Sequence, residues 1–218
     1  MARGSRIRVY IACSFDGFIA GPGDDLSWLT GADASACEPA QATPDRGALG
    51  FEQFIGDVGA LLMGRRTYDV VAGFGGAWPY GKRPVLVATH RPLAPVTVEV
   101  RPVHGDIATM VAMAREAAGD KDVYIDGGDL IRQAMDAGLI DDLVVTMVPV
   151  LLGNGYPLFA GVEKRHQLEF LGHHTFGRTM IQVQLRPANL ANRVNSPAPA
   201  RPGPPSFRRL TEAEDGIP

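Results

Sequence analysis

"LLMGRRTYDVV", residues 61–71, changes character at a single glycine. Before Gly64 the run is apolar. After it come Arg65, Arg66, Thr67 and Tyr68, and then a helical pattern. The reading is a buried strand that turns into a helix whose first turn carries two guanidinium groups. A helix N-terminus presents free N–H groups and partial positive charge, so it favours an anion. Gly64 lets the backbone approach a ligand closely. The arginines add fork-shaped donors suited to phosphate oxygens, and Thr67 adds a hydroxyl. A solvated arginine pair at a helix start fits the same residues, and this stretch alone leaves both readings open.

A second stretch, "VYIDGGDL" (Val123–Leu130), repeats the strand, glycine turn and helix start. Gly127 and Gly128 could hold a pyrophosphate against the second helix, although a tight strand-to-helix turn explains a glycine pair equally well. No G-x-G-x-x-G and no G-x-x-x-x-G-K-[ST] occurs, so the usual dinucleotide and nucleotide-triphosphate fingerprints are absent. Two glycine-bearing helix starts, one loaded with arginine, suit a dinucleotide with an additional phosphate. NADPH fits better than NADH, because only NADPH offers a 2′-phosphate.

Around these stretches the chain alternates between strand and helix patterns. "IRVYIAC" (Ile7–Cys13), "ALLM" (Ala60–Met63), "RPVLVAT" (Arg83–Thr89), "VTVEV" (Val96–Val100), "DVYIDGG" and "DDLVVTMV" read as strands. Helical spacing marks "FEQFIGDV", "RTYDVVAGF", the segment after Asp106 up to Gly119, and "DLIRQAMDAGL". The stretch "HQLEFLGHHTFGRTMIQVQLRP" alternates about a turn near Gly177 and predicts a closing hairpin. This pattern predicts an α/β fold with a sheet covered on both faces and made mixed by the hairpin. Thr30–Gly50 is small, polar and aperiodic and reads as a flexible surface insertion. From residue 188 onward the chain is proline-rich, "NSPAPARPGPPSF" included, and residues 188–218 are expected to be a disordered tail behind a domain of residues 1–187.

With 218 residues and a net charge of −3, the chain lacks the clustered basic excess that nucleic acid or an anionic membrane requires. Its two cysteines, Cys13 and Cys37, make no disulfide framework. No signal peptide and no span of about 20 apolar residues is evident, so a cytoplasmic protein is expected. No metal site is expected either. His173 and His174 are adjacent on a strand and face opposite sides, with no cysteine or carboxylate cluster to complete a set. The apolarity of "LVVTMVPVLLG" suits a strand-mediated homodimer or a buried central strand.

At this point a family resemblance becomes specific. "MGRRTY" after a strand resembles the M-G-R-x-T-[WYF] motif of dihydrofolate reductases. "VYIACSFDGFIAGPGDDLSWL" resembles the first strand and active-site loop of that fold. "GGDLIRQAMDAGLIDDLVVTMVPVLLGNGYPLF" is similar to the reductase domain at the C-terminus of the riboflavin-biosynthesis deaminase/reductase, as is the S-x-D-G-x-I-A loop at Ser14–Ala20. The match runs in order from Arg6 to Arg186. The deaminase half, with its H-x-E and P-C-x-x-C zinc signature, has no counterpart. That branch usually carries another sequence where MGRRTY stands here. The chain thus resembles a stand-alone relative lying between the two enzymes.

The resemblance implies a dihydrofolate-reductase-like three-layer fold and roles at matching positions. Arg65 would face the 2′-phosphate, and Gly64, Arg66 and Thr67 would hold the pyrophosphate region. Thr89 and His90 would line the adenine side. Gly127, Gly128, Asp129 and Leu130 would sit under the pyrophosphate and nicotinamide ribose. Ala12 and Ile19 would contact the nicotinamide. Asp33, past Trp28, stands where dihydrofolate reductases carry their substrate-binding acid; Asp16 in the S-x-D-G loop is a rival proton source, as is a bound water, and Asp16 also suits a turn residue before Gly17. Trp28 and Thr146 would touch substrate. The expected activity is NADPH-dependent hydride transfer to a pteridine-like, aminopyrimidine or other small heterocycle. The alternative is a non-catalytic NADPH-binding regulator or sensor.

Overall fold

The computed structural model describes residues 5–30, 48–176 and 180–188. Eight of its strands are β1 (Ile7–Ser14), β3 (Val58–Gly64), β4 (Val85–Ala88), β5 (Val100–Val103), β6 (Asp122–Asp126), β7 (Asp142–Val148), β9 (Leu168–Phe176) and β10 (Met180–Pro187). They form one sheet in the order β5-β4-β3-β6-β1-β7-β10-β9. All neighbours from β5 to β7 pair in parallel, whereas β10 pairs antiparallel with both β7 and β9. A separate two-stranded ribbon joins β2 (Phe18–Ala20) to β8 (Tyr156–Pro157), and a single turn of helix, α1 (Ser27–Thr30), follows β2. The sheet is therefore mixed and mostly parallel, with an antiparallel hairpin at its C-terminal edge.

Alternation along the strands sorts side chains onto two cores. Ile7, Val9 and Cys13 of β1 and Val123 and Ile125 of β6 pack with Val111 and Ala114 of α4 (Ile107–Ala118) and Ile131 and Ala134 of α5 (Gly128–Asp136). Tyr10 and Tyr124 face the other way, toward Phe54 of α2 (Phe51–Gly56) and Tyr68 of α3 (Arg65–Gly73). Tyr10 and Tyr124 each bring a ring to Phe54, at 4.8 and 5.1 Å between centroids. One helix pair thus covers each face, which parallel strands joined by helices require. Asp106 caps α4 by accepting the Thr109 N–H at 2.7 Å, and Gly119 closes the helix at φ +62.

The apolar run in β7 is consumed inside the chain. Leu143, Val144, Val145 and Val148 are buried between β1 and β10, so these side chains are not available to a second copy. "VTVEV" is not a strand over its length: residues 96–99 form bends and a turn, and β5 begins only at Val100. The Val96 N–H donates to the Tyr68 hydroxyl at 3.0 Å, and Val98 is 95 % exposed. Asp33, the turn near Gly177 and the proline-rich tail lie outside the described residues. Among the described residues no helix is long and apolar enough to cross a membrane.

At the N-terminal ends of the three central strands, charges are locked together. Arg8 of β1 is buried and reaches Asp142 of β7 at 2.9 Å and Asp122 of β6 at 3.4 Å. Arg6 meets the same two carboxylates at 3.2 and 2.7 Å. Burial pushes the Asp122 pKa up, but the Arg6 hydrogen bonds and the charges of Arg6 and Arg8 outweigh it and hold the carboxyl below its ordinary range. Asp122→Ala leaves two arginines short of a partner and is expected to cost about 3 kcal/mol at neutral pH in urea unfolding. A depressed pKa contributes stability above the unfolded value of about 4 and loses it as pH falls through the folded value. The gap between wild type and variant should therefore close below about pH 4.

Candidate active site

A cleft of about 730 Å³ opens across the C-terminal ends of β5, β4, β3, β6 and β1, where open parallel sheets gather ligand groups. Two helices begin in it. α3 starts directly from β3 at Gly64, and α5 starts from β6 through Gly127, with no side-chain cap on either. The N–H groups of both first turns are left to the cleft. β3 and β6 are sheet neighbours, so the two helix starts lie side by side.

Gly127 makes that approach possible. Its φ is +99, and a Cβ there would lie 2.5 Å from the Thr67 hydroxyl oxygen. Gly128 is similarly confined: a Cβ would meet the Ile19 side chain at 3.1 Å and the Pro157 carbonyl at 3.1 Å. The glycine pair is thus more than a tight turn, because it clears the space between two helix N-termini.

All twelve residues assigned above to a dinucleotide line this one cleft: Ala12, Ile19, Gly64, Arg65, Arg66, Thr67, Thr89, His90, Gly127, Gly128, Asp129 and Leu130. Arg65 donates from Nε to Asp69 at 2.7 Å and from Nη1 to the Pro92 carbonyl at 2.8 Å, which aims it along α3 toward the loop after β4. Thr89 shapes that loop by accepting the Arg91 N–H at 3.0 Å. His90 and His104 close this end, with ring centroids 6.3 Å apart. The Asp129 side chain is engaged by Gln133 at 2.8 Å, so its backbone N–H is the part that suits an anion.

The substrate-side expectations fare differently. Trp28 is buried and does not line the cleft; its Nε1 donates to the Asp25 carbonyl at 3.2 Å and pins the loop. Thr146 is buried in β7 away from the cleft, with its hydroxyl 3.5 Å from Gln182 Nε2. Gln182 in turn clamps the Leu49 backbone at 2.8 and 3.1 Å. Asp16 also stays out of the cleft. Its carboxylate accepts from the Ser14 hydroxyl at 2.6 Å and from the N–H groups of Leu152 and Gly153 at 3.1 and 2.7 Å. The Ser14 bond and then the backbone bonds hold it below the usual carboxylate range. It is an ionised clip between the β1–β2 turn and the loop before β8, and an ionised acceptor is a poor proton source.

Three acids line the cleft, Asp24, Asp126 and Asp129, and Asp126 is the one at the sheet edge, at the end of β6, one residue before the glycine pair. Burial pushes its carboxyl up to about 6, against the opposing pull of the neighbouring Tyr124 and Tyr80 hydroxyls and the Gly127 N–H. No cation contributes. The Tyr124 hydroxyl gives its one proton to the Tyr10 carbonyl at 2.8 Å, which fixes the aromatic wall beside the acid. The sequence did hold a signal, an Asp immediately before a glycine turn, but Tyr80 completes the setting from a distant loop.

The sheet and its helices define an α/β protein of dihydrofolate-reductase-like fold with a cleft across the strand ends. The chain belongs to the RibD C-terminal domain family, whose model matches residues 6–182. It is similar to the uncharacterized protein YwjB of Bacillus subtilis, 26% identical over 172 residues, covering 79% of this chain and 92% of that one. A protein ascribed to riboflavin biosynthesis from Shewanella sp. PV-4 is 31% identical, with a TM-score of 0.70, covering 84% of this chain and 99% of that one. A dihydrofolate reductase of Enterococcus faecalis, solved with NADP(H), shares the fold at a TM-score of 0.56 and 16% identity, covering 84% of this chain and 97% of that one.

Asp126 carries a stability cost that can be measured. Its folded pKa of about 6 exceeds the unfolded value of about 4, so its contribution is complete below about pH 4 and is lost as pH rises through about 6. Asp126→Asn should remove that loss. In urea unfolding the variant is expected to gain on wild type between about pH 4 and 6 and to keep the gain at neutral pH.

Proposed function

We propose that the protein is an NADPH-dependent reductase of a pteridine-like, aminopyrimidine or other small heterocyclic substrate. The observation that carries this reading is the contact of two uncapped helix starts across Gly127 and Thr67, in the cleft that also holds Asp126. The residues fit a dinucleotide: a Cβ at 127 or 128 would fill the cradle, and the N–H groups of both first turns suit a pyrophosphate.

Reduction of a C=N or C=O bond adds a hydride to carbon and a proton to the heteroatom. The nicotinamide supplies the hydride when bound. The chain positions and protonates. Arg65, flanked by the β4 loop with Thr89 and His90, offers a guanidinium to the 2′-phosphate. Ala12 and Ile19 give an apolar bed for a planar ring. Asp126, raised toward neutrality by burial, gives the proton to the heteroatom, which a group with a pKa near 6 does well around neutral pH. The reading is supported by the family and by the E. faecalis reductase solved with NADP(H). It is supported too by a protein of the same fold from Thermotoga maritima, described as a deaminase and 5-amino-6-(5-phosphoribosylamino)uracil reductase.

Two variants test it. Arg65→Ala should weaken NADPH by at least about tenfold more than NADH, measured by nicotinamide fluorescence; equal losses would remove the 2′-phosphate assignment. Asp126→Asn should keep NADPH binding and lower turnover by about 100-fold or more. The substrates to screen by NADPH oxidation are dihydrofolate, a phosphoribosylamino-pyrimidinone and simple quinones. Unchanged turnover in Asp126→Asn would mean that the proton comes from elsewhere.

A further inference from the structure

Three groups from distant parts of the chain meet at the mouth of the cleft. Arg66, the second residue of α3, directs Nε onto Asp24 at 2.5 Å and lays its guanidinium 3.9 Å from the centre of the Tyr156 ring. All three line the cleft. Asp24 ends the short turn Pro22–Asp24, and Tyr156 opens β8. These two segments are held side by side. Ala20 pairs with Tyr156, and Gly155 passes so close that a Cβ there would lie 2.1 Å from the Ala20 carbonyl oxygen. Arg66 therefore ties the turn and β8, as one unit, to the helix side of the cleft.

The tie is built to exchange. Arg66 and Asp24 are 55% and 32% exposed, and an ion pair in water is weak enough to be replaced. Asp24 has φ +66, alone among the described non-glycine residues in that region, so its backbone is held in a conformation that an L residue adopts at a cost. The first turn of α3 carries no acidic side chain of its own. The Asp24 carboxylate thus takes the very donor that an incoming phosphate would use, and its negative charge opposes that phosphate.

We propose that Asp24 is an internal competitor for the cofactor phosphates. Its carboxylate holds Arg66 across the mouth until a phosphate of the dinucleotide replaces it, and the exchange frees the Pro22–Asp24 turn. This rests on the dinucleotide reading above. The pyrophosphate is common to NADPH and NADH, so Asp24 tunes affinity for both alike, whereas Arg65 separates them.

Wild type, Asp24→Asn, Arg66→Ala and the double variant are titrated with NADPH and NADH by nicotinamide fluorescence, with association rates from stopped flow. Asp24→Asn is expected to bind both dinucleotides roughly two- to fivefold more tightly, through faster association. The same change should add nothing once Arg66 is Ala. Weaker binding by Asp24→Asn overturns the proposal, because Asp24 would then be positioning Arg66 for the cofactor. Unchanged binding overturns it too, as does an equal gain in the Arg66→Ala background, which would be a general charge effect. If wild type binds neither dinucleotide, the dinucleotide reading falls and takes the exchange with it. If wild type binds NADPH and Asp24→Asn matches it, only the exchange falls.

Discussion

Arg8 sits between Asp122 and Asp142 at the N-terminal edge of three neighbouring parallel strands, and the geometry of the opposite edge depends on it. A one-residue slip between parallel strands would turn every side chain to the other face. Apolar side chains alone specify register weakly in β7, where both faces are buried and consecutive positions are all acceptable to a core. Charge is more demanding. Arg8 pairs in register with Asp142 and with Tyr124 of β6, and a buried guanidinium tolerates no position in which its carboxylates are absent. Its planar group also lies 4.8 Å from the centre of the Phe54 ring, so α2 is docked by the same residue. With register fixed at one edge, Ala12, Asp126 and Gly64 arrive together at the other.

The two edges divide stability from function. At the lower edge charges are paired and buried. At the upper edge donors are left open: two helix starts lack side-chain caps, Asp24 holds a positive φ, and Asp126 is half-buried without a cation. Each of these features costs stability in isolation. Their concentration in one cleft marks where the fold gives up stability that the lower edge supplies.

Much of this was legible in the sequence because it is local. The strand-to-helix switch at Gly64, the glycine pair after β6, the Asp106 cap and the closing hairpin each declare themselves within a few residues. The twelve cleft residues were assigned through the family resemblance, whose motifs are themselves short and local, and the helix starts among them lie side by side because β3 and β6 are parallel neighbours. What stayed hidden depends on distant partners. Asp16 resembles a loop acid until Leu152 and Gly153 donate to it across 136 and 137 residues. Arg66 and Asp24 are 42 residues apart. Thr146 looks like a substrate contact until Gln182 and Leu49 are seen to bury it. "VTVEV" alternates as a strand should, but alternation does not say whether a neighbouring strand is within reach at Val98.

Strand β6 shows how one fold can set two identical side chains to opposite tasks. Asp122 and Asp126 begin and end the same five residues, and both side chains fall on the face of Tyr124 by the two-residue repeat. Burial raises the pKa of each. At Asp122 two arginines reverse the shift, and the carboxyl remains an anion that holds strands together. At Asp126 only hydroxyls and one N–H oppose burial, and they are too weak to reverse it. Hydrogen bonds from neutral donors lower a carboxyl pKa without offsetting the full cost of removing its charge from water. An arginine placed beside Asp126 would restore the anion and abolish its capacity to give up a proton near neutral pH. The cleft's arginines, Arg65, Arg66 and Arg132, are instead engaged by Asp69, the Pro92 carbonyl, Asp24 and the Pro157 carbonyl. The partners that occupy the arginines are thus part of what keeps the acid an acid.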